Sequence, residues 1–283
     1  MNYRHAFHAG GFADVVKHAV LVRILLHLKA KPAAFRVIDT HAGAGLYDLA
    51  GAEASRTGEW RDGVGRLLAA RLDRDVAVLL APYLDVVAGF NRAGPLAIYP
   101  GSPEIIRAHL RPQDRLLACE LEPGAAGILT GRLAGDDRAK AIAIDGWTAL
   151  AAYVPPKERR GLVLVDPAFE QPDEFARLAD ALAVAHGKWR SGIFLLWYPI
   201  KQRREPDALA RRLRALAIPK VLRAELLVSA ARADERLHGS GLVVVNPPWT
   251  LAGELGVLLP ALAAVLARDA KGTARIDWVV PPI

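Results

Sequence analysis

The chain alternates between short continuous apolar runs and longer stretches with helical spacing. Eight runs rich in Val, Ile and Leu recur: Phe35–Thr40, Arg115–Glu120, Ala139–Asp145, Gly161–Pro167, Gly192–Pro199, Leu222–Ser229, Gly241–Pro247 and Ala274–Pro281. Runs of this length suit strands buried on both faces. Between most of them lie stretches with an apolar residue every three or four positions, such as Asp173–His186, Asp207–Ala217 and Leu251–Ala267. The alternation predicts an α/β fold with a mainly parallel sheet covered by helices on both sides.

Two departures modify this picture. A helix over Gly11–Lys29 precedes the first strand. Roughly 70 residues then separate the first two strands, where a strand-helix-strand unit takes about 30 in total. Residues 46–112 are therefore expected to be a small helical insertion subdomain. Its helices are expected at Val64–Leu72 and Val76–Phe90, before the turn-rich Tyr99-Pro-Gly-Ser-Pro103. Its expected place is above the carboxyl ends of the strands, where open parallel sheets bind ligands. Residues 1–45 and 113–283 form the main domain.

Composition narrows the class. With 52% hydrophobic residues among 283, the chain can bury a large core, and disorder is excluded. Lys and Arg exceed Asp and Glu by 37 to 30, a net charge of +7, which favours a polyanionic partner. The excess is concentrated at residues 1–36, with six Lys/Arg against one Asp, and at 201–236, with ten against five acids. A single cysteine, Cys119, excludes an intrachain disulfide and a Cys-based zinc site. No apolar stretch approaches the roughly 18 residues of a membrane span. The opening Met1-Asn-Tyr-Arg-His5 has no secretory h-region, so a cytoplasmic protein is expected.

The candidate chemistry sits at strand ends. The first strand runs into Asp39-Thr-His-Ala-Gly-Ala-Gly45, where Gly43 and Gly45 allow a ligand close to the backbone. A dinucleotide site wants a third Gly three residues on, and that position is Asp48. The incomplete pattern favours a cofactor without phosphates, such as S-adenosylmethionine. The next two strands end in Glu120 and Asp145, acids suited to ribose hydroxyls and an exocyclic amine. The fourth ends in Asp166-Pro-Ala-Phe169. A carboxylate and a backbone carbonyl accepting both N–H bonds of an adenine N6 would make that nitrogen more nucleophilic in the transition state. An aromatic ring three residues later, Phe169, can stack on the base. The bland alternative for Asp166 is a helix cap.

Asn246-Pro-Pro-Trp249 competes with that motif. The ligand crevice of a doubly wound sheet lies beside the strand carrying the Gly turn. In the methyltransferase strand order the fourth strand is there and the late one lies further out, so Asp166 is preferred and Asn246–Trp249 reads as a rigid turn with a packed Trp. Upstream, Tyr3, Arg4, His5, His8, Asp14, Lys17 and His18 gather before the first strand, with Asp14, Lys17 and His18 on one helix face. They read as a substrate or cofactor clamp rather than a metal site, because no tight His-x-x-x-His pair is present.

Together, Tyr3-Arg-His-x-Phe-His-Ala-Gly10, the Ala-Asp14-Val-x-Lys17-His18 helix, Asp39-Thr-His-Ala-Gly-Ala-Gly45 and Arg56-Thr-Gly-Glu59 resemble the RlmJ family of 23S ribosomal RNA adenine-N6 methyltransferases. Phe90-Asn-Arg92, Tyr99-Pro-Gly-Ser-Pro103, Trp197-Tyr-Pro199 and Asn246-Pro-Pro-Trp249 extend the resemblance essentially from end to end. It implies a Rossmann-like class I methyltransferase sheet with a small helical insertion. It implies S-adenosylmethionine contacts at His18, His41, Ser102, Glu120, Asp145, Gly146 and Asp166, and Asp166 as acceptor at the target amine. It implies Tyr3, His5 and Lys17 on the substrate side, and 23S rRNA as partner. The family's Asp-Pro-Pro-Tyr is Asp-Pro-Ala-Phe here. Phe169 keeps the stacking face and loses the hydroxyl; Ala168 loses the second proline's rigidity.

The expectation is thus a monomeric, metal-free enzyme that methylates adenine N6 in 23S rRNA. The alternatives are a methyltransferase for another amine or amide, such as a protein glutamine, working through Asn246–Trp249, or an RNA-binding protein with a degenerate site. A nicotinamide-dependent oxidoreductase is more distant.

Overall fold

The computed structural model describes residues 4–92, 94–230, 236–269 and 272–282. Its strands are β1 (Arg36–Asp39), β2 (Leu46–Asp48), β3 (Ile98–Pro100), β4 (Arg115–Glu120), β5 (Ala139–Ala143), β6 (Gly161–Val165), β7 (Ile193–Ile200), β8 (Val221–Leu227), β9 (Gly239–Val245) and β10 (Thr273–Val280). Its α-helices are α1 (Phe12–Lys29), α2 (Ala52–Thr57), α3 (Arg66–Ala69), α4 (Arg74–Gly89), α5 (Ser102–His109), α6 (Pro123–Leu133), α7 (Gly146–Tyr153), α8 (Glu174–Lys188), α9 (Arg204–Ala215) and α10 (Leu251–Leu266). Each of the eight apolar runs is a strand, within two residues of its expected bounds. The pair β2 and β3 was not expected, because three-residue strands carry no alternation to read.

Eight strands form one sheet in the order β10-β8-β9-β7-β6-β1-β4-β5. From β5 to β7 all neighbours are parallel. At β9 the direction reverses: β9 is antiparallel to both β7 and β8, and β10 is antiparallel to β8. This is the Rossmann-like class I methyltransferase sheet, extended by one edge strand.

Strand side chains alternate between two cores, as the pleat requires. Leu162 and Leu164 of β6 join the core formed with α1, α4, α5 and α10, whereas Val163 and Val165 join the core formed with α7, α8 and α9. Helix α1 is apolar around its whole circumference, so it is buried rather than amphipathic. It packs against α4, α5, α10 and β9. Its buried polar residues, Asp14, Lys17 and His18, all fall in its first two turns. No helix among the described residues is long and apolar enough to cross a membrane.

The segment 46–112 is closed at its base. Strands β2 and β3 pair antiparallel, Leu46 opposite Pro100. The Asn91 side chain donates to the carbonyls of Val87 and Ile98 and accepts the N–H groups of Ala97 and Ile98, which ties the end of α4 to β3. Residues 46–54 reach the carboxyl end of the sheet. Helix α4 instead lies along α1 and α10, so Leu80, Tyr83 and Val87 belong to the main core. Helix α5, inside the 46–112 segment, packs against α1, β1 and β4.

Candidate active site

A cavity of about 920 Å³ opens at the carboxyl ends of β1, β4 and β6, reaching to Asp145 beyond β5. The Gly turn forms its floor. Gly43 (φ 62°) and Gly45 (φ 81°) are left-handed, and a Cβ on Gly43 would lie 2.2 Å from the Tyr47 hydroxyl. The Gly43 N–H donates to Glu120 Oε2 at 2.8 Å, and the Glu122 N–H donates to Glu120 Oε1 at 2.8 Å. Each carboxylate oxygen therefore holds one backbone donor and keeps acceptor capacity on the cavity side. Asp145 caps α7: its Oδ2 accepts the Thr148 N–H at 2.8 Å and hydroxyl at 3.0 Å. It lines the cavity as well, so the cap fixes the carboxylate rather than competing with a ligand role. Gly146 is required by packing, since its Cβ would stand 2.3 Å from the Thr40 carbonyl and 2.6 Å from the His41 ring.

Two histidines face this cavity as neutral rings. His41 Nδ1 pairs with Thr40 Oγ1 at 2.8 Å. The Thr40 hydroxyl proton is committed to the Leu164 carbonyl at 2.9 Å, so His41 Nδ1–H is the donor and Nε2 is left as an acceptor. Burial pushes the His41 pKa down to about 4. His18 is 1% exposed, and burial outweighs the nearby Asp14 to bring its pKa down to about 3. Its Nδ1 shares a 2.8 Å hydrogen bond with the Tyr99 hydroxyl, which in turn meets the Tyr83 hydroxyl at 3.0 Å. Ser102, at the start of α5, donates to Asp39 Oδ2 at 2.7 Å.

Asp39 was not singled out from sequence. It is fully buried, and burial lifts its pKa to about 7 against the Ser102 hydrogen bond. Its Oδ1 has no hydrogen-bond partner among the described residues. The signal that exposed Glu120 and Asp145, an acid at a strand end, applies equally to Asp39 immediately before the Gly turn. The apolar wall of Leu121, Ile128 and Trp147 was also missed; Leu121 and Ile128 are exposed hydrophobics that carry no sequence signature.

The catalytic candidate is held by α1. Lys17 Nζ donates to Asp14 Oδ1 at 2.8 Å and to Asp166 Oδ2 at 2.5 Å. Asp14 Oδ2 also accepts from His5 Nε2 at 2.9 Å and from the Gly10 N–H at 3.0 Å. Burial opposes charge on both residues, yet the neighbouring charges outweigh it: Asp14 and Asp166 raise Lys17 above the ordinary lysine range, and His5 and then Lys17 hold Asp14 well below the carboxylate range. Lys17, 3% exposed, is open only toward the cavity it lines.

The N-terminal segment rests on the insertion. Arg56 stacks 4.3 Å from the Phe7 ring centroid, the Thr57 hydroxyl donates to the Phe7 carbonyl, His8 pairs with Glu59 at 3.0 Å, and Arg4 pairs with Glu53 at 2.8 Å. The Arg56-Thr-Gly-Glu59 motif thus serves to dock this segment. His5 is brought to the cavity wall, 5.1 Å from the Tyr47 ring. The expectation for Tyr3 lies outside the described residues. Among those residues no group of three His, Cys, Asp or Glu could hold a metal ion.

Phe169 departs from the expected geometry. It takes a positive φ of 53°, which turns its ring onto Phe175 (4.8 Å between centroids) and Trp197 (5.7 Å), and it is not among the residues lining the cavity. Asp166, Pro167 and Ala168 do line it.

Strand direction sends the two acid-or-amide motifs to opposite ends of the sheet. β6 pairs with β1, so Asp166 stands beside the Gly turn. β9 is antiparallel, and its last residue, Val245, lies opposite Phe194 near the start of β7. Asn246 therefore sits at the other end of the sheet. Its Nδ2 donates to the carbonyls of Arg190 and Gly192, both at 2.8 Å, so it is a backbone tie. The expected packed Trp is corrected: Trp249 is 87% exposed, because the two prolines carry it outward beyond the strand end.

The same arrangement of elements occurs in known proteins. The family model described as "Ribosomal RNA large subunit methyltransferase D, RlmJ" matches residues 32–280. The chain is 39% identical over 281 residues to "Ribosomal RNA large subunit methyltransferase J" of Escherichia coli, covering 99% of both chains. It is 37% identical over 282 residues to the protein of the same name in Haemophilus influenzae, again covering 99% of each. A solved structure from Legionella pneumophila superposes with a TM-score of 0.86 at 31% identity, over 95% of this chain and 98% of that one. A probable spermidine synthase from Corynebacterium glutamicum, 11% identical with a TM-score of 0.52 over 98% of this chain and 79% of that one, shares the fold alone. With the family model spanning most of the chain and both curated relatives matched from end to end, this protein belongs to the RlmJ family of ribosomal RNA large-subunit methyltransferases.

Proposed function

We propose that this enzyme transfers a methyl group from S-adenosylmethionine to the N6 amine of an adenine in 23S ribosomal RNA. The observation that carries the reading is Asp166, fixed by Lys17 at the tip of β6 on the wall of the cavity floored by the Gly43–Gly45 turn.

The residues present fit the cofactor. Asp39 Oδ1, a buried acceptor without a partner among the described residues, directly precedes the cavity-lining Thr40 and would suit an ammonium group such as that of the methionine moiety. Glu120 offers its remaining lone pairs to ribose hydroxyls, and Leu121, Ile128 and Trp147 offer apolar surface to a purine ring. Gly43 admits close approach to the backbone, His18 and Ser102 line the wall and are held from behind by Tyr99 and Asp39, and His41, Asp145 and Gly146 close the third side. Bound there, the cofactor supplies an electrophilic methyl group on a sulfonium.

The chain's own residues do the rest. Lys17 occupies Asp166 Oδ2, so Oδ1 is the oxygen available to one N–H of the target amine. A backbone carbonyl of the Pro167–Ala168 segment takes the other. Drawing both N–H groups out of the ring plane would localise the nitrogen lone pair for attack on the methyl carbon, with the sulfur–methyl bond breaking and the cofactor's neutral thioether leaving, and Asp166 would take the proton that the nitrogen loses. Phe169 serves the base only by rotating from its contacts with Phe175 and Trp197. His5 meets the substrate from the N-terminal segment, Tyr3 is assigned to the substrate by family resemblance alone, and Lys17 acts through Asp166. Incubation with labelled cofactor and unmodified ribosomal RNA, followed by nucleoside analysis, tests the reading; the expected product is N6-methyladenosine, and its absence would overturn it.

A further inference from the structure

The Asn246–Trp249 turn is left unused by the chemistry, and its setting is unusual. Indole rings are mostly buried on folding, yet Trp249 is 87% exposed. It is also rigidly mounted. Pro247 and Pro248 precede it, Asn246 ties the turn to the Arg190 and Gly192 carbonyls, and the Leu251 N–H donates to the Pro248 carbonyl at 2.9 Å. A fixed, solvent-facing aromatic loses little conformational freedom when a flat group stacks on it.

The strand order shows what surrounds it. At this end of the sheet the chain enters the parallel strands and leaves β9, so the loops line up in the order of their strands. Moving outward from β1 these loops carry Lys31 (into β1), Lys157 and Arg159 (into β6), Arg190 (into β7), Trp249 (out of β9) and Lys220 (into β8). All five cations are exposed, and none has a side-chain hydrogen bond or ion pair among the described residues. Arg190 and Lys220 are locked beside the turn, because Asn246 Nδ2 bonds the Arg190 carbonyl and the Asn246 N–H bonds the Lys220 carbonyl at 3.0 Å. The acids Asp114, Asp136 and Glu158 at this end are already paired, with Arg111, Arg138 and Arg36, and Asp137 lies away at the β5 edge. Neighbouring strands are about 4.8 Å apart, so the row spans about 20 Å with the indole inside it.

We infer that Trp249 and the flanking Arg190 and Lys220 form a second RNA contact, at the end of the sheet opposite the methyl-transfer cavity, where an unpaired base stacks on the indole and the adjoining phosphates meet the two cations. A single strand is recognised by this combination of an aromatic platform and a cationic track. Strand β6 separates this face from Asp166 by about 17 Å, so an RNA that meets both must extend past the nucleotides held in the cavity. The inference rests on the reading of RNA as the substrate.

The test compares Trp249→Ala and the double variant Arg190→Glu/Lys220→Glu with the wild type on unmodified large-subunit rRNA. Binding isotherms are recorded over a salt series alongside methylation kinetics, and melting curves confirm the fold. The expected result is a rise of about tenfold in KM for each variant, with kcat within twofold of wild type. The double variant is also expected to lower the salt slope of binding by about two. Unchanged KM and unchanged salt slope in both variants would overturn the inference. So would sedimentation showing that Trp249→Ala only dissolves a dimer of this chain while RNA affinity stays the same. Failure of the wild type to methylate RNA would strike the substrate reading instead, and the isotherms would still report on the patch.

Discussion

Lys17 and Asp166 lie 149 residues apart and meet in a 2.5 Å hydrogen bond inside the cavity wall. The same ammonium also binds Asp14, so one cation joins helix α1 to the tip of β6. This orients the carboxylate and, on the proposed mechanism, leaves its other oxygen to the target amine. Replacing Asp166 by Ala is expected to lower kcat at least about a thousandfold, roughly 4 kcal/mol of transition-state stabilisation, while the protein stays folded and binds cofactor. Retained turnover in single-turnover assays would remove Asp166 from the mechanism.

Lys17 has a structural as well as a positioning role. Lys17→Met strands Asp14 in the interior, with His5 and the Gly10 N–H as its remaining donors. A loss of about 3 kcal/mol in unfolding free energy is expected, measured by urea titration. The companion Asp14→Asn/Lys17→Met variant recovers much of that stability and leaves kcat depressed. Recovery of both together would show that Lys17 matters only for folding.

Glu120 reports on the cofactor. Each of its oxygens already holds a backbone N–H, so Glu120→Ala removes two acceptors and loosens the Gly turn at once. Calorimetric titration with S-adenosylmethionine should show affinity ten- to a hundredfold weaker, about 1.4 to 2.7 kcal/mol. Unaltered affinity would place the ribose elsewhere.

His18 makes stability depend on pH. Its folded-state pKa of about 3 lies below the ordinary 6.5, so the unfolded chain binds the proton more readily. The contribution is complete above about pH 6.5 and is lost as pH falls from there toward 3, by up to about 1.4 kcal/mol per pH unit. Asp39, raised to about 7, acts in the opposite direction over part of the same window. The difference between wild type and His18→Asn in urea midpoints at pH 7.5 and 5.5 isolates the histidine. Parallel pH profiles for the two proteins would refute the assignment.

Asn246→Ala separates the two motifs. It leaves the Arg190 and Gly192 carbonyls without their donor, so a loss of about 1–3 kcal/mol in stability is expected. Turnover at saturating RNA should stay within twofold of wild type. Abolished turnover in a folded variant would restore the amide-directed mechanism.

Much of this molecule is legible in its sequence because the relevant forces are local. A run such as Gly161–Val165 is apolar at every position, so it can only be a strand covered on both faces, and acids placed where such runs end fall together at one end of a parallel sheet. Thus Glu120, Asp145 and Asp166 were marked by position alone, and end-to-end similarity of motifs pointed to the family. Asp39 carried the same signal and was overlooked.

What the tertiary structure alone decided depends on chain direction and on long-range closure. Strand order places β9 antiparallel to β7, which carries Asn246–Trp249 to the far end of the sheet and leaves the indole in solvent. The positive φ of Phe169 turns its ring toward Phe175 and Trp197, and no residue pattern encodes that angle. The bond from Lys17 to Asp166 exists only because α1, packed on β9 and its neighbouring helices, brings its first turns to the residue that follows β6. Sequence fixes which groups are available at each strand end; the fold decides which of them meet, because contact between distant residues is set by packing geometry and not by spacing along the chain.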